Sequence, residues 1–114
     1  MNLFLFPNLF PFPNPFDTDG TRFSFVLLGT ENANLKIHVF TQAGKSIYVG
    51  VVRDLTPGYH QIAWDGHDTE GSELANGVYF YRVSVTSAGG QTTEQLGKLV
   101  KLRKPHHETE TTVP

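Results

Sequence analysis

From Asp17 to Leu102 apolar and polar residues alternate with a period of two, and turn residues interrupt the alternation about every 8–12 positions. A period of two places successive side chains on opposite faces of an extended strand. Thr21 to Leu28 sets Phe23, Phe25 and Leu27 on one face, and Asn32-Ala33-Asn34 predicts a turn. Leu35, Ile37 and Val39 then alternate with Lys36, His38 and Phe40. Thr41-Gln42-Ala43-Gly44-Lys45 predicts a hairpin connection, with Gly44 suited to a positive φ. The return strand runs Ser46 to Arg53, with Ile47, Val49 and Val51 opposed to Tyr48, Gly50 and Val52. After Thr56-Pro57-Gly58, Tyr59 to Trp64 puts His60, Ile62 and Trp64 on one face. Asp65 to Asn76 is a polar loop, and Val78 to Thr86 is a long strand with Tyr79, Tyr81, Val83 and Val85 on one side. Ser87-Ala88-Gly89-Gly90 turns the chain, and Gln91 to Leu102 runs back as the last strand.

No window carries an apolar stripe at helical spacing, and Val, Ile, Thr, Tyr and Phe fill the runs. The pattern predicts an all-β, Ig-like β-sandwich of about seven antiparallel strands. A chain of 114 residues is one domain's length and buries roughly two-thirds of its surface on folding. The expected division is an extended apolar segment over 1–16, the sandwich over 17–103 and a polar tail over 104–114.

Residues 1–16 hold five of the nine Phe, four of the seven Pro and no charge, so the segment is sticky but not helical. It has no basic start or small-residue cleavage site of a signal peptide, and Pro breaks it too often for a membrane helix. Leu3, Phe4, Leu5, Phe6, Leu9, Phe10 and Phe12 are its candidate interaction residues. Three roles stay open for it: an interdomain linker, a strand donated to another subunit, or packing on its own sandwich. His106-His107 in the tail reads as a solvated dipeptide.

Composition removes several chemistries. A net charge of −2 gives no electrostatic footprint for nucleic acid or anionic lipid. Absence of Cys removes disulfides, thiolate metal sites and a cysteine nucleophile. No Gly-x-Ser-x-Gly elbow, phosphate loop or His-Glu-x-x-His is present, so no catalytic residue and no cofactor is expected. No metal site is expected either. The nearest Ca²⁺ candidates are Asp65, Asp68 and Glu70, with Asp17 and Asp19 in another loop, and their spacing is not that of an EF-hand. His38 and His60 lack a third zinc ligand. Tyr48, Tyr59, Tyr79 and Tyr81 form a sugar-stacking strip only if they are exposed. Trp64, Asp65, Gly66, Gly71, Asn76 and Gly77 are assigned to core and turns: the Trp fills the sandwich, Asp65 caps a turn, and Gly accepts φ > 0.

Three blocks then stand in order: Pro13-Asn14-Pro15-Phe16 with Thr21-Arg22-Phe23-Ser24-Phe25; Leu35 to Lys45; and Gly58 through Trp64-Asp65-Gly66 and Asn76-Gly77-Val78-Tyr79-Phe80-Tyr81-Arg82 to Lys98-Leu99-Val100. This order resembles the Ig-like domain of the flagellar hook-capping protein and the C-terminal sorting domains of type IX (Por) secretion. The resemblance covers about residues 13–102. It implies a non-catalytic module of a bacterial extracellular or cell-surface protein, acting in secretion sorting, surface attachment or protein–protein contact. Its implied partners are secretion machinery, other domains of a parent protein or further copies of the chain. The alternative is a fibre or lattice subunit whose N-terminal apolar strand completes a neighbour's sheet, a head-to-tail contact that builds filaments.

Overall fold

A computed structural model describes residues 9–103. Seven strands form: β1 (Phe10–Phe12), β2 (Thr21–Leu27), β3 (Ala33–Phe40), β4 (Ser46–Leu55), β5 (Gly58–Trp64), β6 (Gly77–Ser87) and β7 (Thr92–Lys101). They build two antiparallel sheets, one in the order β1-β2-β5 and one in the order β4-β3-β6-β7. The all-β, Ig-like sandwich predicted from the alternation is the fold observed.

The core lies between the sheets. Phe23, Phe25 and Leu27 of β2 face Leu35, Ile37 and Val39 of β3, with Tyr81, Val83 and Val85 of β6 and Leu99 of β7, and all are buried. Each large apolar side chain so buried contributes about 1.5–3 kcal/mol. Phe23 meets Tyr81 edge-on, with ring centroids 5.2 Å apart. Trp64 lies between Phe16 and Tyr48, at 5.4 and 5.5 Å, and its indole N–H donates to the His67 carbonyl at 3.1 Å.

Six strands lie where the alternation places them. The seventh comes from the apolar N-terminal segment. Phe10–Phe12 pairs with Arg22–Ser24 at the edge of the three-stranded sheet, where Pro11 does no harm to a ladder. Leu9 and Phe16 flank this strand and are both buried. Phe16 also crosses to the other sheet: its N–H donates to the Val100 carbonyl and its carbonyl accepts from the Leu102 N–H, each at 2.9 Å. The Asn14 side chain does the same one step earlier, donating to the Lys98 carbonyl and accepting from the Val100 N–H, both at 3.0 Å. The segment from Leu9 to Phe16 therefore closes one side of the sandwich. Leu3, Phe4, Leu5 and Phe6 lie outside the described residues, as does the tail with His106 and His107.

One turn is corrected. Ala33 and Asn34 belong to β3, not to a turn, because Ala33 is buried opposite Leu55 and Ser87. The Asn34 side chain is spent on the backbone, accepting from the Asp54 N–H at 3.0 Å.

Candidate functional site: the loops and the two outer faces

The Asp65–Asn76 loop is held by its own carboxylates. Asp65 Oδ1 accepts from the His67 N–H at 2.9 Å. Asp68 Oδ1 accepts from the N–H groups of Glu70 at 3.0 Å and Ser72 at 2.8 Å. Both are Asx-type turns, in which a short acid satisfies the backbone two to four residues on. Gly66 has φ +82°, and a Cβ there would stand 3.0 Å from the Phe16 ring. Gly71 and Gly77 also have positive φ, and Asn76 Oδ1 accepts from the Arg103 N–H at 2.7 Å. Asp65 and Asp68 line, with Asp19, Arg22 and Tyr48, a cleft of about 930 Å³. Among the described residues no three His, Asp or Glu side chains converge as metal ligands.

His38 and His60 do not meet. His38 is on β3, 3.1 Å from Ser46 Oγ, and desolvation, then Arg82 and Lys36, hold its pKa below the ordinary value. His60 is on β5 in the other sheet, where it contacts the Thr56 carbonyl and the Phe25 ring. The four tyrosines form no strip. Tyr81 is buried, Tyr48 leans on Trp64, and Tyr79 donates its hydroxyl to the Ala75 carbonyl at 2.8 Å. Of the four tyrosines Tyr59 is the exposed one, at 64%.

One charged pair escapes the alternation reading. Lys101 is 1% exposed, its Nζ 2.9 Å from Glu73 Oε2 and over the Phe16 ring at 5.4 Å. Arg103 reaches the other Glu73 oxygen at 3.3 Å. The hydrogen bond from Lys101 holds the Glu73 carboxyl below its ordinary value. The signal was parity: Lys101 is two residues from inward Leu99.

The outer faces of the sheets differ. On the three-stranded sheet Phe10, Phe12, Val26, Leu28 and Tyr59 are exposed, Phe12 at 67%. Arg22 is the charge among the strand residues that share this face. On the four-stranded sheet Lys36, Arg82 and Lys98 stand among Phe40, Phe80 and Leu96. Phe40 and Phe80 stack at 6.2 Å, and the Arg82 guanidinium lies 5.5 Å from the Phe40 centroid.

Comparison with known proteins places this architecture. The family model of the FlgD Ig-like domain matches residues 14–90. Among solved structures the chain is similar to dimeric latent PorU from Porphyromonas gingivalis, at 23% identity and TM-score 0.71, covering 84% of this chain and 9% of that one. It is similar to PorZ, a surface component of the type-IX secretion system of the same organism, at 19% identity and TM-score 0.53, covering 85% and 12%. FlgD from Xanthomonas campestris, a hook-capping protein of flagellar assembly, aligns at 21% identity and TM-score 0.56, covering 87% and 67%. Identities this low speak to the fold, and the chain spans about a tenth of PorU and PorZ. No curated protein sequence matches the chain. On the match over residues 14–90, the chain belongs to the FlgD Ig-like domain family.

Proposed function

We propose that this sandwich is a non-catalytic contact module of a bacterial extracellular or cell-surface protein, serving secretion sorting, surface attachment or protein–protein contact. The observation that carries the reading is the outer face of the three-stranded sheet, where Phe10, Phe12 and Tyr59 are exposed together with Val26 and Leu28. Exposed aromatic clusters of this kind anchor protein interfaces. The ionisable groups support it from the other side: Asp65 and Asp68 are engaged in turns and Glu73 in an ion pair, so they serve the scaffold. Kinship with FlgD, and structural likeness to PorU and PorZ, agree with a module appended to larger proteins. Among the described residues no helix is long and apolar enough to cross a membrane.

The test appends residues 1–114 to a reporter with an export leader in Porphyromonas gingivalis and measures reporter at the cell surface. Surface display that fails with Phe10→Ser/Phe12→Ser/Tyr59→Ser, a variant that keeps its thermal unfolding, supports the reading. A reporter retained inside with the intact module overturns sorting and attachment.

The fibre reading keeps one specific observation: β1 is an edge strand whose two Phe side chains point outward. Leu9 to Phe12 are engaged within their own sandwich, so a donated strand would be drawn from Leu3 to Phe6. Light scattering over a concentration series decides it, since a mass that stays at one chain removes this reading.

A further inference from the structure

The outer face of the four-stranded sheet carries an ordered charge pattern. The register sets Phe40 beside Phe80 beside Lys98, then His38 beside Arg82 beside Leu96, then Lys36 beside Ser84 beside Glu94. Residues opposite one another on neighbouring strands share a face. Lys36, Arg82 and Lys98 therefore form a diagonal across β3, β6 and β7, each step one strand over and two residues along. Diagonal neighbours of this kind are about 7–8 Å apart. The aromatic pair Phe40 and Phe80 flanks the diagonal on one side, and Leu96, 62% exposed, flanks it on the other.

The three cations have no acidic partner on the described chain. The ion pairs there are His67–Asp65, Lys101–Glu73 and Arg103–Glu73. Glu94, the carboxylate of this face, accepts from Ser84 Oγ at 3.2 Å. The downward pKa shift of His38, caused in part by Arg82 and Lys36, registers the same positive potential. Between the aromatic pair and Lys98 lies an apolar groove of about 510 Å³, lined by Phe40, Phe80, Leu96, Gly97 and Lys98.

We infer that this face docks an extended segment of another protein that carries acidic side chains at alternate positions. The spacing is the argument. A strand returns to the same side every two residues, about 6.6–6.8 Å, which matches the step of the cation diagonal. Three carboxylates at i, i+2 and i+4 then meet Lys98, Arg82 and Lys36 in turn, and apolar atoms of the segment enter the groove. Arg82, steadied on Phe40, is the central contact. This surface is on the opposite sheet from the Phe10/Phe12/Tyr59 face, so the two stand or fall separately.

The test uses the full chain and a fluorescein-labelled peptide Gly-Thr-Glu-Thr-Glu-Thr-Glu-Gly, read by anisotropy at low ionic strength, where exposed charges are least screened. Its block isomer, Gly-Thr-Thr-Thr-Glu-Glu-Glu-Gly, has the same charge with the wrong spacing. The alternating peptide is expected to bind at least threefold more tightly than the isomer. Arg82→Glu is expected to weaken it about tenfold, and the wholly surface variant Lys36→Glu/Lys98→Glu by a similar factor with unfolding unchanged. Arg22→Glu on the opposite sheet leaves binding as it was. Equal binding of the two peptides, or indifference to charge reversal, overturns the inference. So does heparin displacing the peptide at lower concentration, which would make the face a general polyanion surface. The chain's own tail has acids at Glu108 and Glu110, again two apart. Binding that appears only in Glu108→Gln/Glu110→Gln also overturns the inference, by making the tail the occupant.

Discussion

At the scale of the residue, Lys101 is the side chain whose environment most needs explaining. A buried ammonium is tolerated only with its charge paired, and Glu73 is that partner. Removing Glu73 leaves Lys101 with no ion-pair partner among the described residues, whereas removing Lys101 leaves Glu73 with Arg103. Glu73→Ala is therefore expected to lower the unfolding midpoint more than Lys101→Met, which keeps an apolar stem over Phe16; equal losses would contradict the pairing. The same pair sets an acid limit. Glu73's folded pKa is lower than its unfolded one, so its contribution is fully present above about pH 4.5 and is lost as pH falls through the folded value. Glu73→Gln should unfold with a shallower dependence on pH below about 4.5 than the parent, as followed by circular dichroism. Asp68 is a simpler case. Its oxygen accepts two backbone N–H groups, so Asp68→Ala is expected to cost about 1–2 kcal/mol in chemical denaturation.

At the scale of the element, strands were legible where only one face is apolar. In β3 and β6 the buried sets are the ones the period selects; in β2 the period selects Phe23, Phe25 and Leu27, but Ser24 on the other face, between Phe10 and Gln61, is buried as well. In β4 both faces are apolar, so alternation alone does not choose between Val49 and Val51 on one side and Tyr48, Gly50 and Val52 on the other. The register with β3 chooses: Tyr48 and Val52 lie opposite buried Val39 and Leu35 and pack on the core, while Val49 and Val51 are exposed; at the bulge between Tyr48 and Ser46, Ile47 packs on the core too, against the alternation. β1 was hidden because three residues with Pro11 at their centre carry no period. Its existence depends on Arg22–Ser24 offering a ladder 12 or so residues away, which is tertiary information. The basic diagonal was hidden for the same reason, since its members meet only through register. Gly97 shows how register gives a residue its meaning. It lies opposite Tyr81, and a Cβ would overlap the Tyr81 ring. Tyr81 is buried and has nowhere to move, so Gly97→Ala is expected to cost about 2–3 kcal/mol and lower the midpoint by about 10 °C or more. Gly50→Ala meets the hydroxyl end of half-buried Tyr48, which can swing outward, and is expected to cost under about 1 kcal/mol. Similar losses from the two would show that the Tyr81 side chain has room the packing denies it.

At the scale of the whole molecule, the N-terminal segment has two sides with different work. Leu9 is 4% exposed and its carbonyl accepts from Gln95 Nε2 at 2.8 Å, while the Pro13 carbonyl accepts from the buried Thr21 hydroxyl at 2.8 Å. Phe10 and Phe12, between them, turn outward, 52% and 67% exposed. A chain beginning at Asn14 loses β1, uncovers the core beneath Leu9 and strands the Thr21 hydroxyl. Burial of one Leu and one unsatisfied hydroxyl together amount to about 3–5 kcal/mol, a large part of a small domain's stability. Such a truncation would aggregate or stay monomeric for reasons of folding, and its mass would say nothing of assembly. Phe10→Ser/Phe12→Ser in the full chain separates the two. These side chains give up little burial, so the unfolding midpoint is expected to move by less than about 5 °C. If the aromatic face drives contact between chains or with a partner, the same variant shows the full loss of that contact in light scattering or surface display. A variant that unfolds like the Asn14 truncation would mean instead that these two Phe belong to the core, and the outer face would lose its claim as a contact surface.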